Sequence, residues 1–541
     1  MDDLRDMESA VLDENNHFGD TSEDTDEEDL VVDEIQYDDQ VGEVGRDNLG
    51  ISVEQARANI EAAGTEVDEE PERITVKGNE DLINPEVDKI LDNIVTDLKM
   101  PYKPAQFQRV AINALGDMKN LVLVSPTGSG KMNIPLLATL VLRQRLKNSK
   151  GVGIITQPLT SIMKEKQKNP VCKAAILSMS GDLSTSSEKE GYEEDANLSC
   201  DLKEVLNGSF PVLFGHPESF DSKLGQYILR ELKRLDRIIL VCIDEFHQGG
   251  EGHWSSFRPN MMKSSTGLRL YGVKGCPTIA MTATATQSEI KDVVVALGLK
   301  IKPVILTSSP VQAHIKISVI RRPSNNYGLD GTTSRMGDHQ PGTMDLLMRL
   351  YLQKYLDDLS KNIAPKKCII FCRGNSVLGE IYSRLMELTH YRYKDCRDSP
   401  FVMNHASLLP PTEEVLSRRS QDISLYLSSN KMLLGIDLPD IDVIIFLRPY
   451  NQLAALLQGG GRGGRRMENG KRRRVQVYQL FNSQDFTTQN KQMSPDMKRV
   501  CFSKKCTRSL LKEYFVDNGE EQVEEGKVAA GFCCHNCDTL S

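Results

Sequence analysis

Lys131 is the seventh residue of a glycine-rich octet, SPTGSGKM, formed by Ser125, Pro126, Thr127, Gly128, Ser129, Gly130, Lys131 and Met132. Backbone N–H groups around Gly128 and Gly130 can wrap a phosphate, and the Lys131 ammonium can reach β and γ oxygens. A second group is Asp244–Glu245, which ends the apolar run Ile238–Ile243. Two adjacent carboxylates at the end of a buried strand are costly unless they hold a cation. The roles that follow are Asp244 on Mg²⁺ and Glu245 polarising an attacking water. A third group is QGGGRGGR, running from Gln458 to Arg465. Presented across a cleft, Arg462 and Arg465 would neutralise charge building on a γ-phosphate. A basic Gly-rich surface loop is the plainer reading, and the nearby KRRR (Lys471–Arg474) could itself contact phosphates. Met132 is out of place: a Ser or Thr hydroxyl normally holds Mg²⁺ there.

These groups need elements to hold them. Leu121–Val124 reads as a strand running into the phosphate loop, and IPLLATLVLRQRL (Ile134–Leu146) reads as the helix after it. Further short apolar runs predict strands at Gly153–Thr156, Val212–Gly215, Ile238–Ile243 and Thr278–Thr282, with helical or loop sequence between them. That alternation marks a parallel sheet covered on both faces. A second series comprises Cys368–Cys372, Val443–Leu447 and Val475–Leu480. The stretch Ser324–Gly342 reads as a loop or domain linker, Ser184–Asn197 as a polar surface insertion, and Pro85–Leu98 as a helix opening the ordered region. Two α/β domains with a cleft between them follow, with ligands beyond the C-terminal strand ends.

Charge divides the chain unevenly. Residues 1–50 hold 19 acidic and 2 basic residues, so the remainder, with 57 acidic against 64 basic, is mildly basic although the whole carries −10. The segment Thr21–Asp39 cannot bury enough apolar surface to fold alone and is expected to be a disordered, solvated leader. No apolar run is long enough for a membrane span, and the acidic start lacks the features of a signal peptide. Twelve cysteines, thinly spread until the C-terminus, predict a reducing compartment with metal rather than disulfides as the staple.

Taken in order, these motifs resemble the RecQ family of superfamily 2 helicases from about residue 83 to 541. YKPAQ (Tyr102–Gln106) is similar to the family's adenine-reading segment, which implies that role for Tyr102, Lys103 and Gln106. QPLTSIMKEKQ (Gln157–Gln167) and GHPESF (Gly215–Phe220) resemble motifs Ia and Ib. Asp244–His247 resembles motif II, and TATAT (Thr282–Thr286) resembles motif III. IIFCRGNS (Ile369–Ser376), LLGIDLPDID (Leu433–Asp442) and QGGGRGGR resemble motifs IV, V and VI. The resemblance implies that Gln458 and Arg462 support Arg465 as the arginine finger. It also implies that His247, Thr282, Thr284 and Asp437 couple nucleotide state to strand contacts. GHWSSFRP (Gly252–Pro259) is similar to the family's aromatic-rich DNA-sensing loop, in which Trp254 and Phe257 would stack on bases and Arg258 would hold a phosphate. CTRSLLKEYF and CCHNCD resemble the RecQ zinc segment. Cys506, Cys534 and Cys537 match, and Leu540 stands where the last Cys is expected, leaving Cys533, Cys501 or His535 for the fourth position.

The resemblance implies two RecA-like parallel-sheet domains in tandem, at 83–310 and 311–485. They would lie between a disordered acidic region (1–80) and a small helical zinc segment (486–541). It implies an ATP-dependent 3′-to-5′ DNA helicase or translocase using ATP, Mg²⁺ and Zn²⁺ on single-stranded or partly duplex DNA, and from that function a nuclear location. Four departures stand out: Met132, Phe246 for Ala in motif II, Leu433 for Gly in motif V, and Arg466 for Asp after motif VI. The resemblance reaches the zinc segment at the last residues, so no winged-helix domain is expected in this sequence. Met132 and Leu433 motivate a second reading, a weak or inactive relative that binds nucleic acid or scaffolds partners under nucleotide control. An RNA helicase is a third.

Overall fold

A computed structural model describes residues 82–100, 102–158, 160–168, 172–179, 196–246, 276–299, 303–308, 312–323, 342–390, 392–393, 398–405, 421–429, 441–464, 467–468, 471–487, 493–515 and 533–538. The described strands form two larger sheets. The first has eight strands in the order β4-β3-β5-β2-β6-β7-β1-β8. They are β1 (Leu121–Val124), β2 (Val152–Thr156), β3 (Ala174–Met179), β4 (Ala196–Leu198), β5 (Val212–Gly215), β6 (Ile238–Asp244), β7 (Thr278–Thr282) and β8 (Val304–Thr307). Every pairing is parallel except β3 with β4.

The second sheet has six strands in the order β11-β12-β10-β13-β16-β9, all paired in parallel. They are β9 (Ile315–Arg321), β10 (Cys368–Phe371), β11 (Phe401–Asn404), β12 (Leu425–Ser428), β13 (Val443–Phe446) and β16 (Val475–Phe481). A small antiparallel pair, β14 (Met467–Glu468) and β15 (Lys471–Arg472), precedes β16.

The central strands are largely apolar because both faces are covered, with β1, β10 and β13 apolar throughout. In β1, Leu121 and Leu123 join one core while Val122 and Val124 join the core on the opposite face. The second sheet repeats this, with Ile369 and Phe371 on one side of β10 and Cys368 and Ile370 on the other. Helix starts follow local chemistry. Asn84 caps Pro85–Asp97, Ser222 caps Lys223–Arg234, and Thr286 with Glu289 forms a capping box on Gln287–Ala296.

Two sequence expectations need correction. Of the two readings of Ser324–Gly342, a loop or a domain linker, the linker falls: the chain passes from one sheet to the other between Thr307 and Ile315, near the expected boundary at 310, and residues 324–341, which follow β9 in sequence, lie outside the described residues. Ser184–Asn197 is not wholly an insertion, because Ala196 and Asn197 pair with β3 as part of the antiparallel edge strand β4. Six strands of the two larger sheets, β3, β4, β8, β9, β11 and β12, and the small pair β14 and β15 went unrecognised, because short runs lack a period that separates strand from buried helix or loop.

Candidate nucleotide site and cysteine cluster

Four adjacent strands of the first sheet, β2-β6-β7-β1, deliver the candidate groups to one edge. Gln157 follows β2, Asp244 ends β6 and is followed by Glu245, Thr282 ends β7, and the phosphate loop follows β1. The parallel registers Val124↔Thr282 and Asp244↔Met281 hold these ends level. A backbone bond from Ser125 N to Thr282 O (3.0 Å) fixes the loop's point of departure.

The loop turns through left-handed glycines, Gly128 at φ +79° and Gly130 at φ +78°. Two glutamines hold its carbonyls. Gln108 Nε2 donates to Ser129 O (3.2 Å) and Gly130 O (3.1 Å), while its Oε1 accepts from Ala105 N (2.9 Å). Gln312 Nε2 donates to Thr127 O (3.0 Å). A trans peptide unit is planar, so fixing a carbonyl sends the next N–H the opposite way. Holding the oxygens of Thr127, Ser129 and Gly130 therefore orients the N–H groups of Gly128, Gly130 and Lys131. Sequence reading missed both glutamines, which lie outside the motif residues. Gln108 could have been found as a polar residue among the apolar positions of helix Gln106–Gly116, two residues after YKPAQ ends, but Gln312 carries no local signal.

Asp244 is buried. Its Oδ2 accepts from Gln157 Nε2 at 2.7 Å, while Oδ1 is buried without a hydrogen-bond partner. Burial pushes its carboxyl up to about 7, with Glu245 adding to the shift and Lys131 and Gln157 opposing it. Glu245 sits at φ +55°, a left-handed conformation costing a non-glycine residue about 1–2 kcal/mol. Its carboxylate lies 3.7 Å from Lys131 Nζ and accepts from Thr282 Oγ1 (3.2 Å). An orphaned carboxylate oxygen beside a glycine loop and a lysine suits a divalent cation on a phosphate.

Met132 does not suit that role. Its side chain is buried in the apolar core with Ile134, Leu136 and neighbouring residues. Phe246 likewise fills the core on the other face of the sheet. Tyr102, Lys103 and Gln106 lie exposed at the rim, with Tyr102 Oη accepting from Asn133 Nδ2 (2.8 Å). Across the cleft, Thr127 Oγ1 donates to Gly461 O (3.1 Å) at the end of helix Leu453–Gly460, which carries Gln458. A Cβ on Gly461 would fall 1.8 Å from Thr127 Oγ1, so glycine permits this approach. Gln458 and Arg462 are both buried near this junction.

Residues 105–293 match the DEAD/DEAH box helicase family. ATP-dependent DNA helicase Q4 of Mus musculus is 30% identical over 222 residues, 40% of this chain and 17% of that protein. Putative ATP-dependent DNA helicase Q1 of Caenorhabditis elegans is 28% identical over 220 residues, covering 40% and 32%. Bifunctional 3'-5' exonuclease/ATP-dependent helicase WRN of Mus musculus is 23% identical over 452 residues, covering 81% and 28%. The chain thus carries a DEAD/DEAH box helicase domain and is similar to RecQ-type helicases. It spans about a third or less of the length of these relatives. The fold agrees with the crystal structure of DUF1998 helicase MrfA bound to DNA and AMPPNP, at TM-score 0.54 and 15% identity over 83% of this chain and 56% of that one. It also agrees with Mycobacterium smegmatis helicase Lhr bound to ssDNA and AMP-PNP, at TM-score 0.50 and 16% identity over 73% and 48%.

The chain gathers four C-terminal sulfurs, those of Cys506, Cys533, Cys534 and Cys537, within 4.8 Å of one another. Separations of 3.6 Å (Cys506–Cys533), 3.8 Å (Cys506–Cys534) and 3.5 Å (Cys534–Cys537) are too long for disulfides. Zn–S bonds of about 2.3 Å in a tetrahedron put sulfurs about 3.8 Å apart, so the set fits a structural zinc. Contact with Cys534 pulls the Cys506 thiol down to about 4, while Cys533 and Cys534 are pushed up. Cys533 supplies the fourth sulfur. Cys501 does not, because it packs into the core of the second sheet. Cys534 also bridges Ile317 of β9, so the segment covers an exposed sheet edge.

Two residues of KRRR are engaged inside the fold: Arg472 Nη1 donates to Gln312 Oε1 (2.7 Å) and Arg473 pairs with Asp442 (3.0 Å). His247, Trp254, Phe257, Arg258, Leu433, Asp437, Arg465, Arg466 and Leu540 lie outside the described residues. Among the described residues, no helix is long and apolar enough to cross a membrane.

Proposed function

We propose that this chain is an ATP-dependent DNA translocase or helicase of RecQ type, moving 3′ to 5′ on single-stranded or partly duplex DNA. The observation that carries the reading is the convergence of the phosphate loop, Lys131, the half-satisfied Asp244 and Glu245 on four neighbouring strand ends, with Gly461 against the loop from the other sheet. Lys131 would bind the β and γ phosphates. Phosphate oxygens would compete for its charge and release Glu245 to accept a proton from the attacking water. Asp244 would hold Mg²⁺ through its water shell, and the ion would supply charge neutralisation on the phosphate oxygens. Tyr102, Lys103 and Gln106 would contact the base. Arg465, supported by Arg462 and Gln458, would reach the γ-phosphate when the cleft closes. His247, Thr282, Thr284 and Asp437 would pass that closure to DNA held by Trp254, Phe257 and Arg258. Zn²⁺ on the cysteine cluster would staple the C-terminal segment, and work on DNA implies the nucleus.

The test is steady-state ATP hydrolysis with Mg²⁺, with and without single-stranded DNA, beside Glu245→Gln. DNA-stimulated turnover that the substitution removes supports the motor. Turnover stimulated equally by RNA would move the reading to an RNA helicase.

Burial of Met132 favours a second reading, a nucleotide-gated DNA-binding protein with weak turnover. In that case Met132→Thr raises turnover greatly, whereas under the first reading the gain is small.

A further inference from the structure

Gln312 stands in the connector between the two sheets, and its contacts run three ways. It is 5% exposed. Its Nε2 holds Thr127 O of the phosphate loop at 3.0 Å. Its Oε1 accepts from Arg472 Nη1 at 2.7 Å, a charge-assisted bond from β15. Its main-chain oxygen accepts from Arg508 Nη1 at 3.1 Å, while Arg508 Nη2 holds Ile315 O at 2.7 Å. Arg508 is buried on helix Thr507–Phe515, two residues after Cys506. One planar amide thus joins the phosphate loop to the second domain, and its backbone is clamped by the helix beside the cysteine cluster. A carboxamide is rigid, so displacing its oxygen displaces its N–H. The Thr127–Gly128 peptide then turns as a unit and re-aims the Gly128 N–H.

We propose that Gln312 is a positioning residue through which Arg508, next to the cysteine cluster, and Arg472 set the phosphate loop for nucleotide. The inference rests on the nucleotide-site reading above. It makes the C-terminal segment a determinant of nucleotide affinity as well as a cover for the β9 edge.

The test measures ADP affinity of the full chain in Mg²⁺ by titration of a fluorescent ADP analogue. Gln312→Met keeps the side-chain volume and removes both bonds of the amide. Arg508→Lys keeps the charge and removes the two-pronged grip. Each is expected to weaken binding about fivefold to tenfold, the scale of one lost hydrogen bond. Because both act on one relay, the double variant is expected to bind no more weakly than the weaker single one. In hydrolysis, KM rises while kcat changes less than twofold. Arg472→Lys, on a separate element, replaces Arg508→Lys if that variant does not fold, with the same expectation. Multiplying effects in the double variant would overturn the relay, and so would unchanged affinity in a folded Gln312→Met protein. Failure of the unsubstituted chain to bind ADP would instead overturn the nucleotide site, and this inference with it.

Discussion

Each sheet carries buried carboxylates beside its strand ends, and their partners differ. In the second sheet, Asp485 pairs with Arg322 at 2.6 Å with both side chains buried, and Asp442 pairs with Arg473 at 3.0 Å. In the first, Asp244 is as deeply buried but leans on the neutral amide of Gln157 and keeps one oxygen without a partner. A buried charge met by a guanidinium is neutralised within the fold, whereas one that meets only a neutral amide is a standing cost that a cation can remove. The same parallel architecture therefore yields a neutralised pair in one sheet and a candidate cation site in the other, according to what meets the carboxylate.

The largest expected effect lies at the reactive end. Glu245→Gln should lower DNA-stimulated ATP hydrolysis by about 10²–10⁴-fold, the range for removing a general base, with nucleotide binding kept. Turnover within tenfold of the unsubstituted chain would remove Glu245 from the chemistry.

The structural pair should behave differently. Arg322→Met strands Asp485 and is expected to cost about 3–5 kcal/mol in denaturant unfolding. Asp244→Asn should act with the opposite sign, raising stability by about 1–2 kcal/mol in nucleotide-free buffer with chelator, because the half-satisfied charge is gone. Equal destabilisation by both substitutions would erase the contrast between the sheets.

The cysteine cluster sharpens the comparison within the second domain. Cys533→Ser removes one of the four sulfurs and should lower bound zinc, measured by elemental analysis after dialysis against a chelator, with affinity falling by more than the roughly 10–100-fold typical of groups that only support a ligand. Cys501→Ser should leave the zinc content unchanged. Loss of metal in the Cys501 variant would return the fourth ligand to Cys501.

The smallest effect concerns the contact between the domains. Gly461→Ala places a methyl on Thr127 Oγ1 and should weaken nucleotide binding several-fold. Adding Thr127→Ala, which loses a bond of about 1 kcal/mol, should recover part of the loss. A double variant worse than Gly461→Ala would show that the two residues do not meet during binding.

Much of this molecule was legible in its residues because the chemistry is local. The glycines of the phosphate loop, the carboxylates after Ile238–Ile243 and the apolar strands around them stand in contiguous stretches, where spacing and periodicity carry the information. The two parallel sheets were readable for the same reason. Strand order was not, since a four-residue run such as β12 looks the same at an edge or in the centre.

What only the tertiary structure decided are relations between distant residues. Gln312 meets Thr127, Arg472 and Arg508 through separations that no motif spans. Cys533 rather than Cys501 joins the sulfurs, because the segment docks on β9 while Cys501 faces the core. KRRR reads as a free basic patch until Asp442 and Gln312 are brought against it. Met132 shows the division at a single residue: the missing hydroxyl is plain in the sequence, but its side chain's place in the core depends on packing. Residue type and spacing set which groups can react, and the folded chain sets which of them are satisfied, because satisfaction depends on partners that sequence distance does not encode.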